Sequence, residues 1–204
     1  MAQTITRLLP FREYSENDVI NMYSLDAATG EAGSLVGVSA ANLDDDPVTM
    51  GLRGDSNAYL NTIGNAYSPY PSVPLKVTKV TDTGEAILGI MLRDIRTTDE
   101  NGQNLLYDAV KRDELQCVVS GQAVPVATKG RFTFAKSAFT NGVVPAVNDS
   151  LLPAANGTLT GVTSPTAAQL PYVVGKVLGT GLRESVQDTD AFAGGYAFAS
   201  IDIR

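Results

Sequence analysis

ELQCVVSGQAVPVATKGRFTFA, residues 114–135, decides how the chain is read. CVV and VPVA are short apolar runs rich in valine, separated by Ser120-Gly121. After Lys129-Gly130, Phe132 and Phe134 alternate with Thr133, so both rings fall on one side of an extended chain. Brief runs of β-branched and aromatic residues bounded by glycine turns are a strand signature; an amphipathic helix would need a sustained 3.6-residue period.

The same pattern extends in both directions. Residues 18–25 (DVINMYSL) and 34–43 (SLVGVSAANL) read as strands, with Gly30 and Gly33 as turn residues between them. PLKVTKVT (74–81) and EAILGIMLRDI (85–95) flank Asp82-Thr83-Gly84 and predict a hairpin-like pair. LLYDAVKR (105–112) predicts about two helical turns, with Leu105, Leu106, Ala109 and Val110 sharing a face. Asn141-Gly142, Asn148-Asp149 and Asn156-Gly157 mark tight turns, and residues 171–186 and 194–203 supply two closing strands. ILGIML (87–92) and VVGKVL (173–178) each carry a glycine within an apolar run, which marks a bulge or a close backbone approach. The expected fold is mainly β: a compact barrel or sandwich of roughly eight to ten short strands, with at most one or two short helices.

Two segments stand apart. Residues 1–17 read as an extended N-terminal arm before a single β-rich domain at 18–204. Leu8, Leu9 and Phe11, around Pro10, and then Tyr14 are its candidate partner-binding residues. The alternative is a strand tucked against its own domain, because Pro10 disfavours a helix but not an edge strand. Residues 44–74 read as a long irregular loop, dense in Gly, Pro and Asp, in which Tyr59, Tyr67 and Tyr70 are further candidate contact residues.

Composition narrows the chemistry. The chain has 204 residues, 22 acidic and 15 basic, for a formal net charge of −7. The lysines and arginines are scattered beside acids, which argues against a phosphate backbone as partner. Histidine is absent, so the commonest general base and the Ser-His-Asp and Cys-His arrangements cannot be built. With one cysteine, Cys117, in an apolar run, neither an intrachain disulfide nor an ordinary zinc site is available, and Cys117 reads as a small buried hydrophobe. Carboxylate pairs for acid–base chemistry would have to come from Asp44–Asp46, Asp94, Asp99/Glu100, Asp113/Glu114 or Asp188/Asp190, nearly all in polar turns or at strand ends. Asp44-Asp45-Asp46 lacks the spacing of a calcium loop, and residues 175–181 lack the Gly-Lys-Ser/Thr order of a phosphate loop. The sequence predicts no catalytic residues, no metal and no cofactor. No run is long and apolar enough for a membrane helix, and no targeting segment is evident, so neither nucleic acid nor membrane is expected as a partner.

Val143-Val144-Pro145-Ala146-Val147-Asn148-Asp149-Ser150-Leu151-Leu152, then Asn156-Gly157-Thr158-Leu159, Val174-Gly175-Lys176-Val177-Leu178 and the end strand 196–203 form a recognisable series. It resembles the strand–turn–strand layout of head decoration, or capsid cement, proteins of tailed bacteriophages. The resemblance spans about residues 75–204 and rests on this pattern, not on an invariant motif. It implies a structural virion protein made in the host cytoplasm. Such a protein sits on the outer face of the capsid and bridges neighbouring major capsid subunits, as a homo-oligomer that by analogy would be a trimer. The alternatives are another virion component, such as a tail, neck or fibre-base protein, and a carbohydrate-binding β module.

Overall fold

The structure, a computed structural model, describes residues 6–40, 73, 75–184 and 193–203. It is mainly β, as the short apolar runs require. The strands are β1 (Leu8–Glu13), β2 (Val19–Leu25), β3 (Leu35–Ala40), β4 (Lys76–Lys79), β5 (Gly89–Met91), β6 (Asp94–Arg96), β7 (Cys117–Val119) and β8 (Val124–Ala127). They continue as β9 (Lys129–Ala135), β10 (Ser150–Ala154), β11 (Thr158–Val162), β12 (Gly175–Arg183) and β13 (Gly194–Asp202). The α-helix among the described residues, α1, spans Ala109–Glu114.

Two sheets carry the architecture. β2-β4-β3-β5-β8 close into a small barrel, and β1-β9-β13-β12-β10-β11 form a six-stranded sheet packed against it. β6 and β7 add a short parallel pair, joined to the barrel by bridging of Gly30 with Ile95. The chain passes from barrel to sheet between β8 and β9, at Thr128.

Successive side chains of a strand point to opposite faces. On β3, Val36 fills the barrel interior with Val77, Met91, Val124 and Val126. Its neighbour Leu35 turns outward to join Ile90, Ala127, Phe132, Phe134, Leu151, Val177 and Ala199 in the larger core beneath the sheet. The pairs Leu35-Val36, Ile90-Met91 and Val126-Ala127 are therefore buried on both faces, which is why these strands read as unbroken apolar runs. Phe132 and Phe134 do share the buried side, with ring centroids 6.2 Å apart. Each fully buried side chain of this size contributes roughly 1.5–3 kcal/mol relative to exposure.

The two glycines singled out in apolar runs are sites of close approach. A Cβ on Gly89 would meet the carbonyl oxygen of Ala127 at 2.5 Å, and one on Gly175 would run into that of Ser200. Asn141, Asn148 and Asn156 all take positive φ (57°, 73° and 59°), as their tight turns require.

Three local expectations are corrected. Residues 74–81 and 85–95 do not pair as a hairpin. β3 lies between β4 and β5, bonding both, with Val36 opposite Lys79 and Leu35 opposite Ile90. A strand that is apolar on both faces gains more from this central position than a local turn provides. The helix starts later than its periodicity suggests. Asn104 Oδ1 accepts from the Leu106 amide at 2.9 Å, and Asp108 caps the helix by accepting from the Lys111 amide at 3.0 Å. Such Asx bonds compete with helical ones. Leu105 and Leu106 are consequently buried ahead of the helix, while Val110 on it is 71% exposed. Thirdly, residues 8–13 are not an arm standing off the domain. β1 is antiparallel to β9, pairing Leu8 with Phe134 and Glu13 with Arg131, and is an edge strand of the large sheet.

A buried ionic knot fastens sheet to barrel. Arg7, 3% exposed, donates through Nη1 to Ser34 Oγ and to the Asn156 carbonyl, each at 2.9 Å. Its Nη2 lies 3.8 Å from Glu31, whose carboxylate accepts from Lys79 Nζ at 2.6 Å. The knot thus ties the start of β1 to the β10–β11 turn, to the approach to β3 and to β4. Burial pushes the Glu31 carboxyl up, but the hydrogen bond and charge of Lys79 together with the charge of Arg7 outweigh it and hold it below its ordinary 4.5. Burial lowers the Arg7 guanidinium, against the pull of Glu31.

A carboxyl held low stabilises the fold above its unfolded pKa, and that contribution is lost as pH falls through the folded value. Urea midpoints of the wild type should therefore fall on acidification below about 4.5, while Glu31→Gln, destabilised by about 1–3 kcal/mol at neutral pH, should converge on the wild type there. Parallel curves at all pH values would contradict the assignment. Gly175→Ala should also lower the urea midpoint, because the added carbon would overlap the Ser200 carbonyl oxygen, a backbone atom with little room to give, and crowd Ile201 as well.

Candidate functional site

The predicted contact residues of the N-terminal stretch separate by depth. Leu8 and Leu9 are buried in the protein's own core, Leu8 among Phe132, Phe134 and Leu151, so neither is presented to a partner. Phe11 is 65% exposed. Between Leu8 and Arg12 the register with β9 shifts, which places Pro10 and Phe11 at the open edge. Phe11 meets Phe198 of β13 edge-on, with centroids 5.5 Å apart. Because Ala197, Ala199 and Ile201 point into the core, Phe198 lies on the outer face of the sheet. Glu13 and Arg131 form an exposed ion pair at 3.1 Å beside these rings. Phe198 is the member of this surface that sequence reading passed over; its alternation with Ala197 and Ala199 was the available signal. Tyr59, Tyr67 and Tyr70, the Asp44–Asp46 cluster and most of the 44–74 loop lie outside the described residues.

Tyr14 turns to the opposite side, where its ring stacks on Phe132 at 5.9 Å. It stands at the wall of an open cleft of about 1060 Å³ between the end of β1, the barrel and α1, whose polar lining includes Arg12, Glu16, Arg93, Asp113 and Gln116. Arg12 bridges the cleft by donating to the Leu92 carbonyl at 3.1 Å. Gln116, at the base of α1, has a φ of 48°, an uncommon conformation for a residue with a side chain. Its lining mixes two guanidinium groups, Arg12 and Arg93, with two carboxylates, Glu16 and Asp113, which suits the polar rim of a protein contact better than a single charged ligand.

Among the described candidate carboxylates, Asp94, Asp99, Glu100 and Glu114 are engaged in local contacts. Asp94 accepts from the Ala32 amide at 2.8 Å and pairs with Arg96 at 3.1 Å. Asp99 caps a turn through the amides of Asn101 and Gln103, and Glu100 and Glu114 both approach Lys111. Among the described residues, no group of three or more metal-binding side chains converges. Cys117 is a buried free thiol, and burial, the largest influence on it, raises its pKa. No helix among the described residues is long and apolar enough to cross a membrane. Searches of family models, curated proteins and solved structures each returned no match to this chain.

The two ends of β1 should respond differently to truncation. Leu8→Ala is expected to cost about 2–5 kcal/mol in urea unfolding, whereas Phe11→Ser, at a surface position, should cost under about 1.5 kcal/mol, the scale of one aromatic pair.

Proposed function

We propose that the protein is a structural virion component that binds the outer surface of a tailed-phage capsid, bridges neighbouring major capsid subunits and acts by binding, not by catalysis. The observation that carries this reading beyond the sequence resemblance is the Phe11–Phe198 pair, an exposed aromatic contact on the outer face of a broad sheet, rimmed by the Glu13–Arg131 ion pair. An aromatic anchor with a charged rim is the usual anatomy of a protein-binding hot spot. The acidic, histidine-free composition fits a protein-facing role. A scaffold anchored by a two-sided core and a buried ionic knot holds such a surface rigid, so little ordering is required on docking. Modest contacts repeated around a shell add up through multivalency.

The N-terminal stretch enters this reading through Phe11 as the anchor and Glu13 at the rim. Removing residues 1–16 would strip Arg7, Leu8 and Leu9 from the core as well, so a point substitution is the informative test. Capsids lacking the protein should co-sediment with the added wild type. Folded Phe11→Ser should bind at least about 30-fold more weakly, the scale of a 2 kcal/mol hot spot. Equal binding by both, or none by the wild type, would overturn the proposal, and recovery in isolated tails at low copy number would assign the protein to another virion part. Shells without it should open at lower temperature than decorated ones, because a bridging ligand stabilises only the assembled state.

A further inference from the structure

β12 is long and covered along only part of one side. It pairs with β13 from Gly175 opposite Ile201 to Arg183 opposite Gly194, with one shift of register between Val177 and Gly179 that leaves Leu178 unpaired on that side. On its other side β10 reaches Gly175 and Lys176, and the coverage ends where Val177 donates to the Asp149 carbonyl at 3.0 Å and accepts from the Asn148 amide at 2.9 Å. From Leu178 to Leu182, no strand among the described residues takes up this edge.

An open edge presents unpaired amides and carbonyls, and natural sheets blunt theirs with proline, charge, a bulge or a covering segment. On β12 the shift of register falls at Leu178, the near end of the edge, and residues 179–182 run on in regular pairing with β13. The borders of this sheet follow that rule. β1 carries Pro10, Arg12 and Glu13, and β11 is bridged by Phe139 at Leu159 and crowded by Pro145 at Gly161. Residues 178–182 have neither proline nor charge, and they display Leu178 at 46% and Leu182 at 73% exposure.

The sequence of that edge is Leu-Gly-Thr-Gly-Leu, the same in both directions about Thr180. We infer that the β12 edge is a self-association site at which a second copy of this chain adds its own β12 antiparallel, across a twofold axis through Thr180. A twofold interface must be self-complementary, and an antiparallel palindrome meets that condition in one strand. Leu178 faces Leu182 of the second copy, Gly179 faces Gly181, and Thr180 faces itself. Beyond Leu182 the added strand must leave the edge, because Val177 is already bonded. That exit carries the exposed Glu184 past the exposed Lys176 of the first copy, placing opposite charges together at both ends. Five paired residues span about 17 Å, so the contact is smaller than the roughly 1,200–2,000 Å² of a stable interface. The dimer is accordingly weak in solution and gains strength where copies are crowded on a surface.

The inference is independent of what the protein decorates, and its test needs no capsid. Sedimentation velocity of the full chain from micromolar to near-millimolar concentration should show a reversible monomer–dimer equilibrium. Thr180→Glu and Thr180→Lys each place like charges opposite one another and should weaken dimerisation about tenfold or more, whereas an equimolar mixture of the two should restore it. Circular dichroism and urea midpoints check that these exposed-site variants fold. Leu182→Lys provides a second disruption and should weaken association to a similar degree. A wild type that stays monomeric, one that forms trimers, disruptive variants that dimerise like the wild type, or a mixture that fails to associate would each overturn the inference.

Discussion

The barrel wall formed by β3, β5 and β8 has to be dry on both faces, and most of the structure follows from that constraint. Leu35-Val36, Ile90-Met91 and Val126-Ala127 present apolar side chains alternately to the barrel interior and to the six-stranded sheet. A closed barrel alone would leave Leu35, Ile90 and Ala127 in water. The sheet covers them with Phe132, Phe134, Leu151, Val177 and Ala199, and neither layer would be stable without the other.

Packing of this kind is strong but not directional, and the polar contacts around Arg7 supply direction. The guanidinium reaches Ser34, Asn156 and Glu31, so one side chain sets where the first strand, the β10–β11 turn and the barrel meet. A buried cation without these partners would be severely destabilising. The knot therefore also fixes β1 in the sheet, which in turn leaves Phe11 on the outside against Phe198. The exposed aromatic surface is thus a consequence of how the core is closed. Crowding on a capsid, the setting proposed for the protein, is also where an uncovered β12 edge would matter most.

Much of the β architecture was legible from local signals. β2, β7, β8, β9, β12 and β13 fall where short apolar runs and glycine turns placed them, and the asparagine turns adopt the backbone their residue type favours. Cys117 is buried, as its apolar neighbours implied. What was not legible depends on long-range competition. The expected pairing of residues 74–81 with 85–95 was displaced by β3, a strand from earlier in the chain whose Leu35 and Val36 are buried on opposite faces. The helical face proposed for Leu105 and Val110 failed because Asn104 and Asp108 capture backbone amides first. At the candidate site, Leu9 and Phe11 looked equally available as anchors; only the strand register separates a core residue from a surface one.

By itself, the sequence determined the class of fold and the chemistry within reach. Strand-length apolar runs cannot build long helices, and a chain without histidine and with one cysteine lacks the commonest catalytic and zinc-binding groups, because both properties are set by residue type and spacing. Only the tertiary structure decided which strands are neighbours, that residues 8–13 belong to the sheet, and that part of one edge of β12 has no partner strand among the described residues. Those outcomes depend on which of several apolar segments buries the most surface once all are present, and no local stretch carries that information.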